Sequence, residues 1–137
     1  MPILTWSDSY SVDDPAIDLQ HKKLIDLINN LHDHIYDGGE IIGKTLDALI
    51  VFARDHFVLE ENLMAQMNFP GLKAHQEEHD FFVGKIFEMQ TDYREGKIAM
   101  SQPMLEFLEE WPLKHICTMD GEYAKFRKLW AEFNRYD

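Results

Sequence analysis

The chain has a single cysteine, Cys117, among 137 residues, so it cannot close an internal disulfide, and that scarcity suits a reducing compartment. Positive charge is also short: 13 Lys and Arg stand against 25 Asp and Glu, a formal net charge of -12. Nucleic acid and anionic membrane surfaces both demand a basic patch, so neither is expected as a partner. The acidity itself reads as solubility. Long apolar runs are missing. The longest, Ala48 to Ala53, is far too short to cross a bilayer, and the opening Met-Pro-Ile-Leu-Thr-Trp lacks the regions of a secretory signal. A soluble, cytoplasmic protein without membrane insertion is expected. No Gly-rich phosphate loop and no Ser-His-Asp or Cys-His arrangement is evident, which leaves nucleotide and acyl-transfer chemistry without a site. No stretch of strand length alternates with period two, and there is no internal repeat, low-complexity segment or linker.

What the chain does have is apolar residues at helical period, within a hydrophobic content of 45%. After an irregular arm, residues 1–14, Asp14 and Pro15 read as the cap and first residue of a helix that Gly38-Gly39 stops. Its inward stripe is Ile17, His21, Leu24, Ile25, Ile28, Leu31 and Ile35. A second helix spans about 40–66, and the breaker Asn68-Phe69-Pro70-Gly71 separates it from a third over about 71–94, which Glu95-Gly96-Lys97 ends. Ser101 is a plausible cap for a fourth, whose apolar side carries Leu105, Leu108, Trp111, Ile116, Met119, Tyr123, Phe126 and Trp130. The fold class is therefore all-α, an up-down-up-down four-helix bundle over 15–137, with 1–137 forming one domain.

Ionisable groups fall inside these stripes. His56 with Glu60 and His75 with His79 are each four apart, so each pair shares a helix face. His21 lies in the first stripe and His115 in the fourth. Burying such groups without partners costs several kcal/mol, which a shared cation offsets. With Asp120 the set numbers seven, too many for one tetrahedral zinc but suited to two six-coordinate ions. If both carboxylates bridge, with an oxo or hydroxo group, three histidines complete one ion and two leave the other an open position for a small molecule. Imidazole with carboxylate favours iron over calcium or magnesium. Asp120 fits least well. Five residues beyond His115, it stands about 140° away on an ideal helix, so a solvated aspartate is the plainer reading unless a wide π-type turn intervenes.

Other residues read more simply. His32 and His34 break the period of the first helix and are taken as surface residues. His75-Gln76-Glu77-Glu78-His79 has Gln76 where a zinc protease needs its general base. Cys117 reads as a small packing residue, Met64, Met67, Met89, Met104 and Met119 as core filler, and Glu77, Glu78, Glu109 and Glu110 as solvated faces.

The order Gln20-His21, His56-Phe57-x-x-Glu60-Glu61, His75-x-x-x-His79 and Trp111-x-x-x-His115-Ile116-x-x-x-Asp120-x-x-Tyr123 resembles the hemerythrin family in its single-domain bacterial form. The likeness covers nearly the whole chain, including Trp6 in the arm. It implies a non-haem di-iron site, oxo- or hydroxo-bridged, that binds O2 reversibly. His75, His79 and His115 would hold the saturated iron, His21 and His56 the open one, with Glu60 and Asp120 bridging. Phe57, Trp111, Pro112 and Ile116 would wall the O2 pocket. Pro112 departs from the family pattern, which places Leu after this Trp. Proline lacks an N–H and clashes with the carbonyl four residues back, so a kink or restart near Leu108 is expected, with altered O2 affinity and autoxidation.

Di-iron oxidases use carboxylate-rich shells, whereas five imidazoles with two carboxylates give less support to high-valent iron. An O2 carrier, store or delivery protein is therefore expected in preference to an enzyme, with a protein acceptor of O2 or electrons as a partner and a monomeric state. The alternatives are a di-iron redox or detoxifying enzyme acting on peroxide or nitric oxide, or an O2 or redox sensing module.

Overall fold

A computed structural model describes residues 4–34, 40–96 and 102–134. Four long helical rods make up nearly all of it: α1 (Pro15–Asp33), α2 (Glu40–Gln66), α3 (Leu72–Arg94) and a fourth rod built from α4 (Gln102–His115), a π turn (Ile116–Asp120) and α5 (Gly121–Asn134). No strand occurs among the described residues. The expected four-helix bundle is thus found, with helix limits close to those read from the periodicity. Gly38-Gly39, Ile35 and Ser101 lie outside the described residues.

Each visible helix end has a local cause. Asp14 caps α1 through Oδ1, which accepts from Ala16 N and Ile17 N, while Pro15 takes the first helical position without forfeiting a hydrogen bond. Between α2 and α3, Asn68 adopts a left-handed φ of 54°, which asparagine tolerates better than most residues. Gly71 follows because a Cβ there would come within 2.8 Å of the Phe69 ring. Gly96, at φ 77°, ends α3 and returns its N–H to the Tyr93 carbonyl.

The arm is pinned at both ends. Leu4 is buried, and its backbone N–H and C=O are both met by the Asn29 side chain at 2.9 and 2.8 Å. From α5, Arg127 reaches Asp14 at 3.0 Å and the Val12 carbonyl at 2.7 Å.

Along the bundle the interior changes character. Leu24, Ile28 and Leu31 of α1, Leu46, Leu49 and Ala53 of α2, Phe82, Ile86 and Met89 of α3, and Leu108 of α4 fill one half with apolar packing. The other half, toward the start of α1 and α3 and the latter part of α2, receives the ionisable side chains. The apolar half fixes the rods so that the polar half cannot collapse or drift, which is how rigid elements hold a functional site.

Several expectations need correction. α4 runs unbroken through Pro112, which is buried, so the helix does not restart near Leu108; bonds on either side carry the helix across the missing N–H. The departure from α geometry comes one turn later, at Ile116. Cys117, in that turn, is exposed, so it is not a packing residue of the core. Met64 and Met89 are buried, but Met67, Met104 and Met119 are only half-buried. The fourth stripe outruns the core: Trp130 is exposed, as are Leu129 and Phe133. His32 and His34 are half-buried rather than free at the surface.

Candidate metal centre

All seven predicted ligand side chains converge on one chamber and are at most 3% exposed. Their metal-ligating atoms fall into two groups, His75, His79, His115 and Asp120 in one, and His21, His56 and Glu60 in the other. Helical spacing supplies most of this. His56 and Glu60 meet across one turn of α2, Nε2 to Oε1, at 2.7 Å. His75 and His79 lie one turn apart on α3 with ring centroids separated by 4.6 Å.

The pair that simple spacing forbids is joined by the π turn. Gly121 N–H donates to the Ile116 carbonyl five residues back, and His115 Nε2 and Asp120 Oδ1 stand 3.3 Å apart. Thr118 Oγ donates to the Lys114 carbonyl at 2.6 Å, which satisfies an acceptor beside the widened turn.

Each carboxylate reaches both groups. Asp120 Oδ1 is 2.7 Å from His75 Nε2, and its Oδ2 is 3.2 Å from His21 Nε2. Glu60 Oε1 faces His56 and, at 3.7 Å, His21, while Oε2 is 4.0 Å from His75.

Whether these residues suit a cation can be judged from the chamber itself. The Nε2 atoms of His75 and His79 stand 3.2 and 3.1 Å from that of His115. His79 and His115 direct Nδ1 at carboxylates: Glu61 Oε2 at 2.9 Å and Glu78 Oε1 at 3.4 Å. Donating Nδ1–H there leaves bare Nε2 lone pairs facing one another, which repel unless a proton or a cation lies between them. In the second group His56 Nδ1 donates to Gln20 Oε1 at 2.5 Å, with the same result for its Nε2. While the imidazoles are neutral, four atoms turned toward the chamber have no hydrogen-bond partner: His21 Nε2, His56 Nε2, Glu60 Oε1 and Asp120 Oδ2. Orphaned, buried and converging, these donors fit a pair of cations.

The charges in the metal-free chain are correspondingly unequal. Burial opposes charge on His21, yet hydrogen bonds and charge from Asp120 and Glu60 outweigh it and lift its pKa to about 9. Burial, reinforced by the charges of His115 and His75, pushes His79 down to about 2. For His115 burial is again the largest influence and works downward, but Asp120 raises it on balance. Asp120, despite burial, is held well below the usual carboxylate range by His115.

Aromatic rings cover the ligands. Phe57 stacks on His79 at 3.8 Å between centroids, and Trp111 on His115 at 4.7 Å. Phe57, Pro112 and Ile116 are buried and Trp111 half-buried. Sequence reasoning misses the roles of Gln20, Glu61 and Glu78. Glu78 corrects the expectation of a solvated face, since its carboxylate meets His115. Gln20 and Glu61 each adjoin a ligand in sequence, which is a signal; Glu78 gives none beyond lying in the His75–His79 turn.

A helical bundle with a buried chamber of imidazoles and carboxylates, shaped for two cations, defines a non-haem metal-binding protein. A model of the hemerythrin HHE cation binding domain matches residues 13–126. The chain is 34% identical over 126 residues to a bacteriohemerythrin of Methylococcus capsulatus, covering 90% of this chain and 96% of that one. A bacteriohemerythrin of Stenotrophomonas maltophilia is 28% identical over 125 residues, covering 90% and 81%. Among solved structures, wild-type hemerythrin aligns with a TM-score of 0.81 at 33% identity, covering 89% of this chain and 95% of that one. A hemerythrin mutant with alanine in place of a leucine gives 0.84 at 33% identity, covering 92% and 98%. The chain belongs to the hemerythrin family.

Proposed function

We propose that the chain is a non-haem di-iron protein that binds O2 reversibly, for carriage, storage or delivery. The observation that carries this is the division of seven buried donors into a four-atom and a three-atom group that share their carboxylates. In this reading His75, His79 and His115 hold one iron and His21 and His56 the other, with Glu60 and Asp120 spanning both. The iron pair, when bound, supplies the electrons and the vacant coordination position that reversible O2 binding needs.

The protein's own residues do the rest. Gln20, Glu61 and Glu78 fix the imidazole tautomers that leave Nε2 free to ligate. Phe57 and Trp111 lie flat on His79 and His115 and exclude water from one side of the chamber. Ile116 and Pro112, buried one turn apart on the fourth rod, complete an apolar wall. A dry wall without polar side chains favours a small neutral ligand and leaves no group to orient an organic substrate. This supports a carrier over an enzyme, whose peroxide or nitric oxide chemistry is the second reading.

No helix among the described residues is long and apolar enough to cross a membrane. We read the chain as one domain, monomeric and cytoplasmic, that passes O2 or electrons to a protein acceptor.

Metal analysis of the purified protein, with absorption spectra of its reduced, aerated and oxidised forms, tests the proposal. Two irons per chain and a colour change that reverses on cycling O2 are expected. Stoichiometric zinc, or steady consumption of peroxide or nitric oxide with a reductant, would overturn the carrier reading.

A further inference from the structure

The groups behind the ligating imidazoles are not alike on the two sides of the chamber. His79 donates Nδ1–H to the Glu61 carboxylate at 2.9 Å, and His115 faces the Glu78 carboxylate at 3.4 Å. On the opposite side, His56 donates to an uncharged amide, that of Gln20. The Nδ1 atoms of His21 and His75, one on each side, have no hydrogen-bond partner. All the anionic backing therefore falls on the group that contains His75, His79 and His115.

A carboxylate accepting from Nδ1–H pulls that proton toward itself and pushes electron density onto Nε2, making the imidazole a stronger donor than one held by an amide. Strong donors favour the more highly charged metal ion. We propose that Glu61 is a positioning residue that makes the two metal positions electronically unequal: it orients His79 and biases the three-histidine position toward the ferric state, while Gln20 leaves the two-histidine position ferrous-favouring. The inference rests on the ligand assignment of the proposed function. Glu61 dominates over Glu78 for two reasons: its bond is shorter, and its side chain is 22% exposed against 38%, so water screens it less.

The inference is tested by redox titration of the iron-loaded full-length chain, followed by its absorption spectrum, with iron per chain determined for every variant. Glu61→Gln keeps the hydrogen-bond acceptor and removes the charge. It is expected to shift the ferric-to-ferrous balance of one couple at least tenfold toward ferrous, a rise of about 59 mV for one electron. Glu61→Asp should restore most of the native potential, Glu78→Gln should shift it less than Glu61→Gln, and Gln20→Glu should lower the other couple. Variants that hold two irons at native potentials, or a Glu78→Gln shift exceeding that of Glu61→Gln, would overturn the inference while leaving the site assignment intact. If Glu61→Gln fails to retain two irons, Gln20→Glu decides alone: a lowered potential supports the inference and an unchanged one refutes it. A native chain that never takes up two irons refutes the site assignment itself, and the inference falls with it.

Discussion

Removing the metal should soften this protein by an amount that its own chamber sets. Four atoms, His21 Nε2, His56 Nε2, Glu60 Oε1 and Asp120 Oδ2, are turned inward and buried, and while the imidazoles are neutral they have no hydrogen-bond partners. An unsatisfied buried polar group costs about 1–3 kcal/mol. One contact within the chamber, His21 Nε2 to Asp120 Oδ2 at 3.2 Å, becomes a hydrogen bond when His21 is protonated and offsets part of this, so the lower end applies. The metal-free chain is then less stable than the loaded one by roughly 4 kcal/mol. For a chain of this length each kcal/mol moves the melting temperature by about 3–5 °C, so chelation should lower it by roughly 12–20 °C.

The assay is a thermal melt followed by circular dichroism before and after anaerobic reduction and chelation, with ferrous iron added back in a third sample. Restoration by iron distinguishes loss of metal from damage. The double variant His75→Leu with His79→Leu supplies the converse: it cannot assemble the three-histidine group, so its melt should be insensitive to chelator. Metal-free and loaded native protein melting within about 2 °C of each other would refute the claim that bound cations relieve the cost of bringing these donors together.

Further outcomes follow from the same geometry. Pro112→Leu restores an N–H to the last turn of α4. It should stabilise the chain by about 1–3 kcal/mol in denaturant titration, and by enlarging the chamber wall it should slow autoxidation severalfold; equal rates would remove Pro112 from the pocket. In the metal-free chain, His79, depressed to about 2, contributes stability that is present above its unfolded pKa of 6.5 and lost as pH falls, a loss that Asp120 reinforces at lower pH. His21, raised to about 9, contributes stability that is complete below 6.5 and lost as pH rises through 9. Urea midpoints of chelated protein should accordingly peak near pH 6.5, and a flat profile would contradict both shifts. Asp14→Ala removes the cap of α1 together with its ion pair to Arg127. It should cost about 1–2 kcal/mol by the same titration, without changing iron content.

The two halves of the site are not equally readable in the sequence, and the reason is geometric. A helix repeats, so His56 with Glu60 and His75 with His79 declare a shared face from spacing alone, and the apolar stripes around them declare that the face is inward. His115 and Asp120 obey no such rule. Their meeting depends on one widened turn between Ile116 and Asp120, and nothing in Ile-Cys-Thr-Met-Asp encodes that turn by propensity; family likeness alone places Asp120 among the ligands. Cys117, at the start of that turn, is exposed, and α4 has already passed Pro112 before the register changes. Gln20, Glu61 and Glu78 are beyond spacing for a different reason. Each contacts a histidine of another helix, 36, 18 and 37 residues away, so its role exists only once the rods are packed in register. That register is set by the apolar half of the bundle, whose layers must interlock before any polar group finds its partner: Ile28 and Leu31 on α1, Leu46 and Leu49 on α2, Ile86 and Met89 on α3. The helix-spaced ligands are therefore written locally, whereas the groups that tune them are written in the packing of side chains a full helix away.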